Sequence, residues 1–482
     1  MGRVFMSGEA RNVKTKGKSG GSKRRTVLEP AFHSAPKCMV VSLGCPKNTV
    51  DSEVLLAELV KHGYELTTDP SEASAIIVNT CGFIKDAVEE SVSVLKELVQ
   101  RKRSSGVFIA AGCLCSRAPE LVMRHVPQVD ACVPADKLNE IPTLLNSMLA
   151  WKRKHPLSSL SVGLDLKFRL LSTPPWYAYL KVSEGCDRSC SFCVIPLIRG
   201  KQRSRRIEEL LQEASWLASK GVQEIILVAQ ETTRYGYDLY GEMMLPKLLR
   251  SLSNIDGIRW VRILYGFPTT VTDELIEAMA TLPNVAHYID IPLQHVHPDL
   301  LRAMNRPGDG ESYMKLIEKL RNAMPDIAIR TTFIVGFPGE SETHFEALLQ
   351  FVKAAELDRV GAFIFSPEPE TVAAKLDGQI PEDVKIERYE RLMEVQSEIS
   401  LKLNRRMIGK TIDVLVEGRD EIKKMWVGRS YRDAPEIDGV VYLRDGSGLK
   451  EGVFVKAMVE GAGTYDLFAK ASFDGGCISE RR

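Results

Sequence analysis

The chain has 482 residues and a mass of 53.7 kDa, a length that predicts two or three domains rather than one hydrophobic core. Hydrophobic residues make up 44% of it. No apolar run nears the roughly 18 residues of a membrane-spanning helix, so we expect a soluble protein. The net charge of +1 is uneven, because residues 1–37 hold a surplus of positive charge. The near-neutral remainder gives no sign of a phosphate-binding surface covering the whole molecule.

Ten cysteines are too few for a disulfide framework in a chain of this length, and no signal-peptide core precedes them. A reducing compartment, the cytoplasm, is therefore expected. In such a compartment, clustered cysteines more often bind metal or perform chemistry than form bridges.

Residues 1–35 are rich in Gly, Ser and Lys and lack apolar periodicity, which predicts a disordered basic tail. An organelle transit peptide is the less favoured alternative, because no amphipathic Arg-rich helix is evident. Residues 36–150 then alternate short apolar runs with helical periodicity, a pattern typical of a parallel α/β domain. The runs are Met39–Leu43, Ala75–Val78 and Val107–Ala111.

Residues 172–403 follow a polar linker and repeat this alternation on a larger scale. Six βα units predict a partial or full (β/α) barrel, with functional loops at the C-terminal ends of its strands. The predicted strands are Tyr177–Val182, Glu224–Val228, Trp260–Leu264, His287–Ile291, Ile327–Ile334 and Arg359–Phe365. After a long charged helix, the hydrophobic period falls to two over residues 406–474. Short strands with Gly-rich turns there predict a small antiparallel β-barrel.

The strongest motif is GCDRSCSFC, which places Cys186, Cys190 and Cys193 as C-x3-C-x2-C directly after a predicted strand. Three thiolates in one loop can hold three irons of a cubane and leave the fourth open to a small molecule. Structural zinc usually takes four closed ligands in paired spacings, and no fourth Cys or His follows within 20 residues. The motif therefore favours an open iron-sulfur cluster.

A second set of cysteines is scattered through the first domain, as Cys45, Cys81 and Cys113. Each lies just past a predicted strand, and the C-terminal strand ends of a parallel sheet share one edge. The three thiols are therefore expected to meet, although free cysteines are most often small buried hydrophobes. Cys115 stays open as an alternative to Cys113. The remaining cysteines, Cys38, Cys132 and Cys477, are interpreted as structural or incidental.

The C-x3-C-x2-C loop, with an aromatic residue before its last cysteine, resembles the radical S-adenosylmethionine (SAM) superfamily. With the second cysteine set and the small barrel, residues 37–474 resemble the methylthiotransferase family, whose parts are a cluster domain, a radical SAM domain and a TRAM domain. Segments resembling its RimO branch are SLGCPKNTVDSE, VAQETTRYGYDLYG, YIDIPLQH, IRTTFIVGFPGE, FSPEPETVAAKL and GRSYRDAPEIDGVVYL.

This resemblance implies two 4Fe-4S clusters and SAM as cofactors. Cys186, Cys190 and Cys193 would hold the SAM-binding cluster, and Cys45, Cys81 and Cys113 an auxiliary cluster that carries the sulfur. Candidates for contacts to SAM or substrate are Gln230, Glu231, Arg330 and Thr332. Their alternative role is ordinary capping and backbone pairing at strand ends. No residue is identified as a general acid or base.

The RimO branch methylthiolates the β-carbon of an aspartate in ribosomal protein S-twelve, which the resemblance makes the expected substrate. An electron donor and a sulfur source are the other expected partners; a membrane is not, and RNA contact is allowed but not required. Basic and acidic residues nearly balance in the small barrel. Asp433, Glu436 and Asp438 are therefore expected to meet the basic surface of the ribosomal protein.

Two positions depart from the branch: Glu231 stands where Asp is usual, and Pro369 where Gly is common. The nearest alternative function is methylthiolation of a tRNA adenosine on the same fold. More distant alternatives are a non-catalytic iron-sulfur carrier and an RNA-binding protein with structural metal. His295, in PLQHVH, is expected to hydrogen-bond or pack rather than bind metal.

Overall fold

The computed structural model describes residues 35–152, 168–444 and 448–472. The predicted tail, apart from its last residue, and Cys477 lie outside these ranges. The first domain alternates strands and helices, as its periodicity predicts. Its elements are β1 (Lys37–Ser42), α1 (Pro46–Lys61), β2 (Glu65–Leu66), β3 (Ala75–Thr80), α2 (Lys85–Arg101), β4 (Val107–Gly112), α3 (Cys113–Arg117), α4 (Pro119–His125), β5 (Ala131–Pro134) and α5 (Ile141–Lys152).

These five strands form a parallel sheet in the order β2-β1-β3-β4-β5. The two central strands, β3 and β4, are buried along their whole length because helices cover both faces. Gly112 ends β4 with φ +91°, and a Cβ there would lie 2.1 Å from the Asn79 side-chain oxygen. Glycine is therefore needed where the chain turns sharply into α3.

The second domain is a larger α/β unit. Its elements are β6 (Tyr177–Lys181), β7 (Ser183–Glu184), α6 (Ile195–Arg199), β8 (Arg203–Ser204), α7 (Ile207–Ser219), β9 (Glu224–Val228), α8 (Tyr237–Tyr240), α9 (Leu245–Leu252), β10 (Trp260–Ile263), α10 (Asp273–Thr281), β11 (Val285–Asp290), α11 (Pro298–Ala303), α12 (Gly310–Ala323), β12 (Ala328–Val335), α13 (Glu342–Ala355), β13 (Arg359–Ile364) and α14 (Glu382–Arg405). Six parallel strands pair in the order β13-β12-β11-β10-β9-β6. Since β13 and β6 are the edges of this sheet, the barrel is partial rather than complete.

The third domain is a closed barrel of five strands: β14 (Thr411–Asp420), β15 (Met425–Ser430), β16 (Val441–Arg444), β17 (Phe454–Ala462) and β18 (Leu467–Ser472). Four of its five pairings are antiparallel, as predicted, whereas β16 and β18 run parallel. Its apolar side chains fill the interior.

Alternation along the strands of the second domain gives its sheet two apolar faces. On β6, Ala178 and Leu180 pack with the outer helices, whereas Tyr177 and Tyr179 belong to a separate core on the other face. That second core includes Leu415 and other side chains of the five-stranded barrel. The small barrel is thus packed against the concave sheet, and the described chain from Pro36 onward forms one compact unit. Within the described residues, every helix is too short or too polar to cross a membrane.

Candidate metal centres

The loop between β7 and α6 carries Cys186, Cys190 and Cys193. Burial raises the pKa of the Cys193 thiol to about 12, and the Cys190 and Cys186 thiols contribute to this shift. The backbone N–H groups of Arg188 and Ile195 donate to the sulfurs of Cys186 and Cys193 at 3.4 and 3.5 Å. Such donors favour thiolates, the form that binds iron.

The C-terminal end of α11 supports this loop. The Ser191 hydroxyl donates to the Ala303 carbonyl at 2.7 Å, and the Asn305 amide donates to the Ser189 carbonyl at 2.9 Å. The Arg306 guanidinium approaches the Cys190 sulfur at 3.7 Å. The loop is therefore held by one helix of the same domain.

The first domain gathers Cys45, Cys81 and Cys113 at the C-terminal edge of its sheet. Cys45 precedes α1, Cys81 follows β3, and Cys113 begins α3. Burial raises the pKa of the Cys113 thiol to about 11; the Arg199 guanidinium opposes this shift, and the nearby Cys45 and Cys81 thiols add to it. The Asn48 side chain ties the group together, donating to the Thr80 carbonyl at 3.2 Å and approaching the Cys113 sulfur at 3.6 Å.

Cys115 lies elsewhere. Its sulfur is 3.0 Å from that of Cys132 on β5, within the apolar layer beneath α2. The contact with Cys132 and burial raise the pKa of the Cys115 thiol. Between the two alternatives left open by the sequence, Cys113 is the cysteine that stands with Cys45 and Cys81.

The spread of the sulfurs bears on the kind of metal. Among the described residues, one group of three His, Cys, Asp or Glu side chains has ligand atoms that all lie within 4.8 Å of one another. Its members are His297, Asp299 and His344. In neither cysteine set do all three sulfurs lie within this distance of one another. A single zinc ion, with Zn–S bonds of about 2.3 Å, requires closer sulfurs. A cubane suits the wider spread because it places each thiolate on a different iron.

Arg199, at the end of α6, connects the two cysteine sets. Its Nε and one terminal nitrogen donate to the Cys113 sulfur at 3.3 and 3.2 Å. Its other terminal nitrogen pairs with Asp51 at 2.7 Å and Glu184 at 3.2 Å. Because α6 follows directly from the loop of Cys193, this arginine brings the second domain's cysteine loop to the first domain's cysteines. Sequence reasoning missed Arg199; its position shortly after the cysteine motif, at the end of α6, was the available signal.

A second contact joins the two domains beside Cys113. Arg117 of α3 pairs with Glu368 at 2.8 Å and Glu370 at 2.5 Å, in the segment after β13. The Lys85 backbone N–H also donates to Glu368, at 3.0 Å. Pro369 lies between the two glutamates that hold Arg117.

The four predicted cofactor-contact residues divide into two groups. Gln230 and Glu231 lie at the cysteine loop: Gln230 donates to Glu184 at 2.8 Å, and Glu231 accepts two bonds of 2.7 Å from Arg188. Arg330 and Thr332 lie on β12, and the Thr332 carbonyl accepts from the Gln294 backbone N–H at 2.8 Å.

Arg330 belongs to a network on the concave face of the sheet. It pairs with Asp290 at 3.0 Å and with Asp438 of the small barrel at 3.5 Å. Asp438 also accepts a bond of 2.6 Å from the Tyr288 hydroxyl. The small barrel therefore contributes a carboxylate to this network.

The expected role of the barrel's acidic segment is wrong for two of its three carboxylates. Asp433 is buried and pairs with Arg359 at 2.7 Å, and the Asp438 side chain is 2% exposed. Both are internal to the chain because the barrel is packed on the sheet. Glu436 is exposed, although it accepts a hydrogen bond from Tyr177 at 3.2 Å.

His295 is fully buried before α11, where its Nδ1 accepts from the His297 backbone N–H at 3.0 Å. Burial lowers the pKa of His295 to about 3, so the ring is neutral at physiological pH. This is the hydrogen-bonding role expected from the sequence.

Comparison with known families gives three matches along the chain. Residues 37–134 match the uncharacterized protein family UPF0004, residues 180–352 the radical SAM superfamily, and residues 408–471 the TRAM domain. Among solved structures, the radical SAM methyltransferase TsrM from Kitasatospora setae has a TM-score of 0.51 at 13% identity, covering 78% of this chain and 79% of that chain. This likeness shows the fold alone.

Relatives of known name match nearly the whole described chain. The ribosomal protein uS12 methylthiotransferase RimO of Pelotomaculum thermopropionicum is 47% identical over 435 residues, covering 89% of this chain and 98% of that protein. The protein of the same name from Synechococcus sp. is 46% identical over 448 residues, covering 91% and 95%. The chain therefore belongs to the RimO family of radical SAM methylthiotransferases.

Proposed function

We propose that this chain methylthiolates the β-carbon of an aspartate in ribosomal protein uS12. The observation that carries the proposal is the contact of Arg199, on the helix that follows the loop of Cys193, with the Cys113 sulfur, since the reaction needs two separate metal centres close together. Cys186, Cys190 and Cys193 would hold one 4Fe-4S cluster, and the first domain's three cysteines the other. When bound, these clusters supply reductive cleavage of SAM and a site for the transferred sulfur.

The chain's own residues prepare both centres. Backbone N–H groups aimed at Cys186 and Cys193 favour their thiolate forms, and Arg199 does the same for Cys113. The bidentate pair of Arg188 with buried Glu231 fixes the backbone of the cysteine loop. Burial of Cys81 and Cys113 keeps bulk water from the first domain's centre.

Support for uS12 as substrate comes from the relatives, which carry this name at 42–47% identity over most of the chain. The acidic segment of the small barrel no longer supports it, because Asp433 and Asp438 are engaged internally. An outside electron donor and sulfur source complete the reaction. We place the reaction in the cytoplasm, where uS12 is assembled into the ribosome.

The test offers the two candidate substrates in parallel. Anaerobically reconstituted protein would be incubated with SAM, a reductant, a sulfur source and either uS12 or unmodified tRNA. Mass spectrometry should then find a methylthio group on one aspartate of uS12 and none on tRNA. Modification of a tRNA adenosine alone would contradict the proposal.

A further inference from the structure

Lys47 is a largely buried lysine beside the first domain's cysteine set. It stands two residues after Cys45, in the first turn of α1, and is 8% exposed. Within the described residues, its ammonium group has no ion pair or hydrogen bond, and its contact is the Tyr265 ring, 3.6 Å from Nζ to the ring centre. The Nζ atom is not among the polar atoms that are fully buried without a partner, so it borders open space. A cation at the end of a largely buried side chain, facing open space, favours an anionic partner there.

The acidic groups near Lys47 are already paired with other cations. Asp51 and Glu184 are both bound by Lys181 and by Arg199. On the sheet side, Asp290 is bound by Arg330. Among the described residues, Lys47 therefore lies near the Cys45 thiol and Glu184 without forming an ion pair of its own.

The aromatic partner of Lys47 is itself held in a strained conformation. Tyr265, just past β10, has φ +61°, a left-handed conformation that is costly for an aromatic residue. Its backbone N–H donates to Asp290 at 3.1 Å, which helps to hold it there. Gln294, past the neighbouring strand β11, also has a positive φ of 71°. Strain of this kind concentrates at ligand sites, where the surrounding structure maintains it.

We infer that Lys47 binds the side-chain carboxylate of the substrate aspartate. This inference rests on the proposed function and names the recognition element of the same site. The carboxylate is bonded directly to the β-carbon, so an ion pair with Lys47 holds that carbon beside Cys45. Adenosine offers no carboxylate, and binding it would leave the ammonium group without a partner. Lys47 therefore selects for an acidic side chain.

The experiment compares two substrates that differ in one charge. Mass spectrometry first locates the modified aspartate of uS12, and a second uS12 carries Asn at that position. Wild-type enzyme should modify the Asp form with a kcat/KM about 10- to 100-fold above the Asn form, the range expected for a hydrogen bond between charged groups. Lys47→Met should reduce this ratio to near one, while Lys47→Arg should retain most of it.

Two further measurements separate recognition from damage to the centres. Iron content and 5′-deoxyadenosine formation without substrate should be the same in Lys47→Met and wild type. If Lys47→Met loses iron, Lys47→Gln takes its place in the comparison. An unchanged Asp-to-Asn ratio in the charge-removing variant overturns the inference alone. Wild-type enzyme that leaves uS12 unmodified overturns the proposed function and this inference with it.

Discussion

The two cysteine sets are assembled in two different ways. Cys186, Cys190 and Cys193 sit within one loop, all half-buried, and are supported by a helix of their own domain. The other set comes from three separate strand ends, and Cys81 and Cys113 are buried. The first set needs one loop and its support within a single domain, whereas the second needs a complete sheet and the neighbouring domain's Arg199.

The two sets also differ in the strength of the interactions that hold them. The single-loop set relies on hydrogen bonds with the end of α11, each worth about 1 kcal/mol, and on the Arg188–Glu231 pair, whose arginine is 28% exposed. The three-strand set relies on a buried guanidinium with two carboxylate partners, and breaking such a group is far more costly. The first domain's centre should therefore be the more sensitive to change at the domain interface.

The largest effect is expected from Arg199→Met. This change leaves Asp51 and Glu184 with Lys181 as their remaining cation, and should lower the free energy of unfolding by about 3 kcal/mol. Denaturant titration would measure it. Arg203→Met is the matched control, because Arg203 is exposed and should change stability by less than about 0.5 kcal/mol. Equal losses in both variants would contradict the role given to Arg199.

A smaller effect is expected from His295, which is buried just before α11, the helix that supports the single-loop set. Burial, followed by the charges of His344, His297 and Arg388, lowers the pKa of His295 to about 3. Its stabilising contribution is therefore present above its unfolded pKa of about 6.5 and is lost as pH falls below that value. Between pH 7 and 5.5, this one group should cost about 1 kcal/mol of unfolding free energy.

Replacement of His295 tests the pH dependence. His295→Gln should flatten the dependence of unfolding free energy on pH over this range, even if the variant is less stable at pH 7. His125→Gln, at an exposed position, should leave the dependence unchanged. The same slope in wild type and His295→Gln would refute the assignment.

The smallest effect is expected from Cys115→Ser. Because the Cys115 sulfur contacts Cys132 and not Cys45 or Cys81, the variant should keep the full iron content of the wild type. Cys113→Ser, two residues away, should lose the first domain's iron. Iron analysis after anaerobic reconstitution distinguishes them, and the reverse pattern would exchange the two assignments.

Sequence periodicity predicted the α/β alternation and the closed small barrel because buried parallel strands and turn-bounded short strands have distinct patterns. It also predicted that Cys45, Cys81 and Cys113 would share one sheet edge, since parallel strand ends must. It could not predict the burial of Asp433 and Asp438, because that depends on where the barrel is packed. Arg199 was missed for the same reason: its partners come from another domain.

The central claim is that the two cysteine sets hold separate clusters with separate tasks. The direct measurement is iron content together with 5′-deoxyadenosine formation in two triple variants. The first variant has Cys186, Cys190 and Cys193 changed to Ala. The second has Cys45, Cys81 and Cys113 changed to Ala. Wild type should bind about eight irons and each variant about four. The first variant should form no 5′-deoxyadenosine, and the second should form it without methylthiolating uS12. Loss of all iron in either variant, or SAM cleavage by the first, would contradict the account.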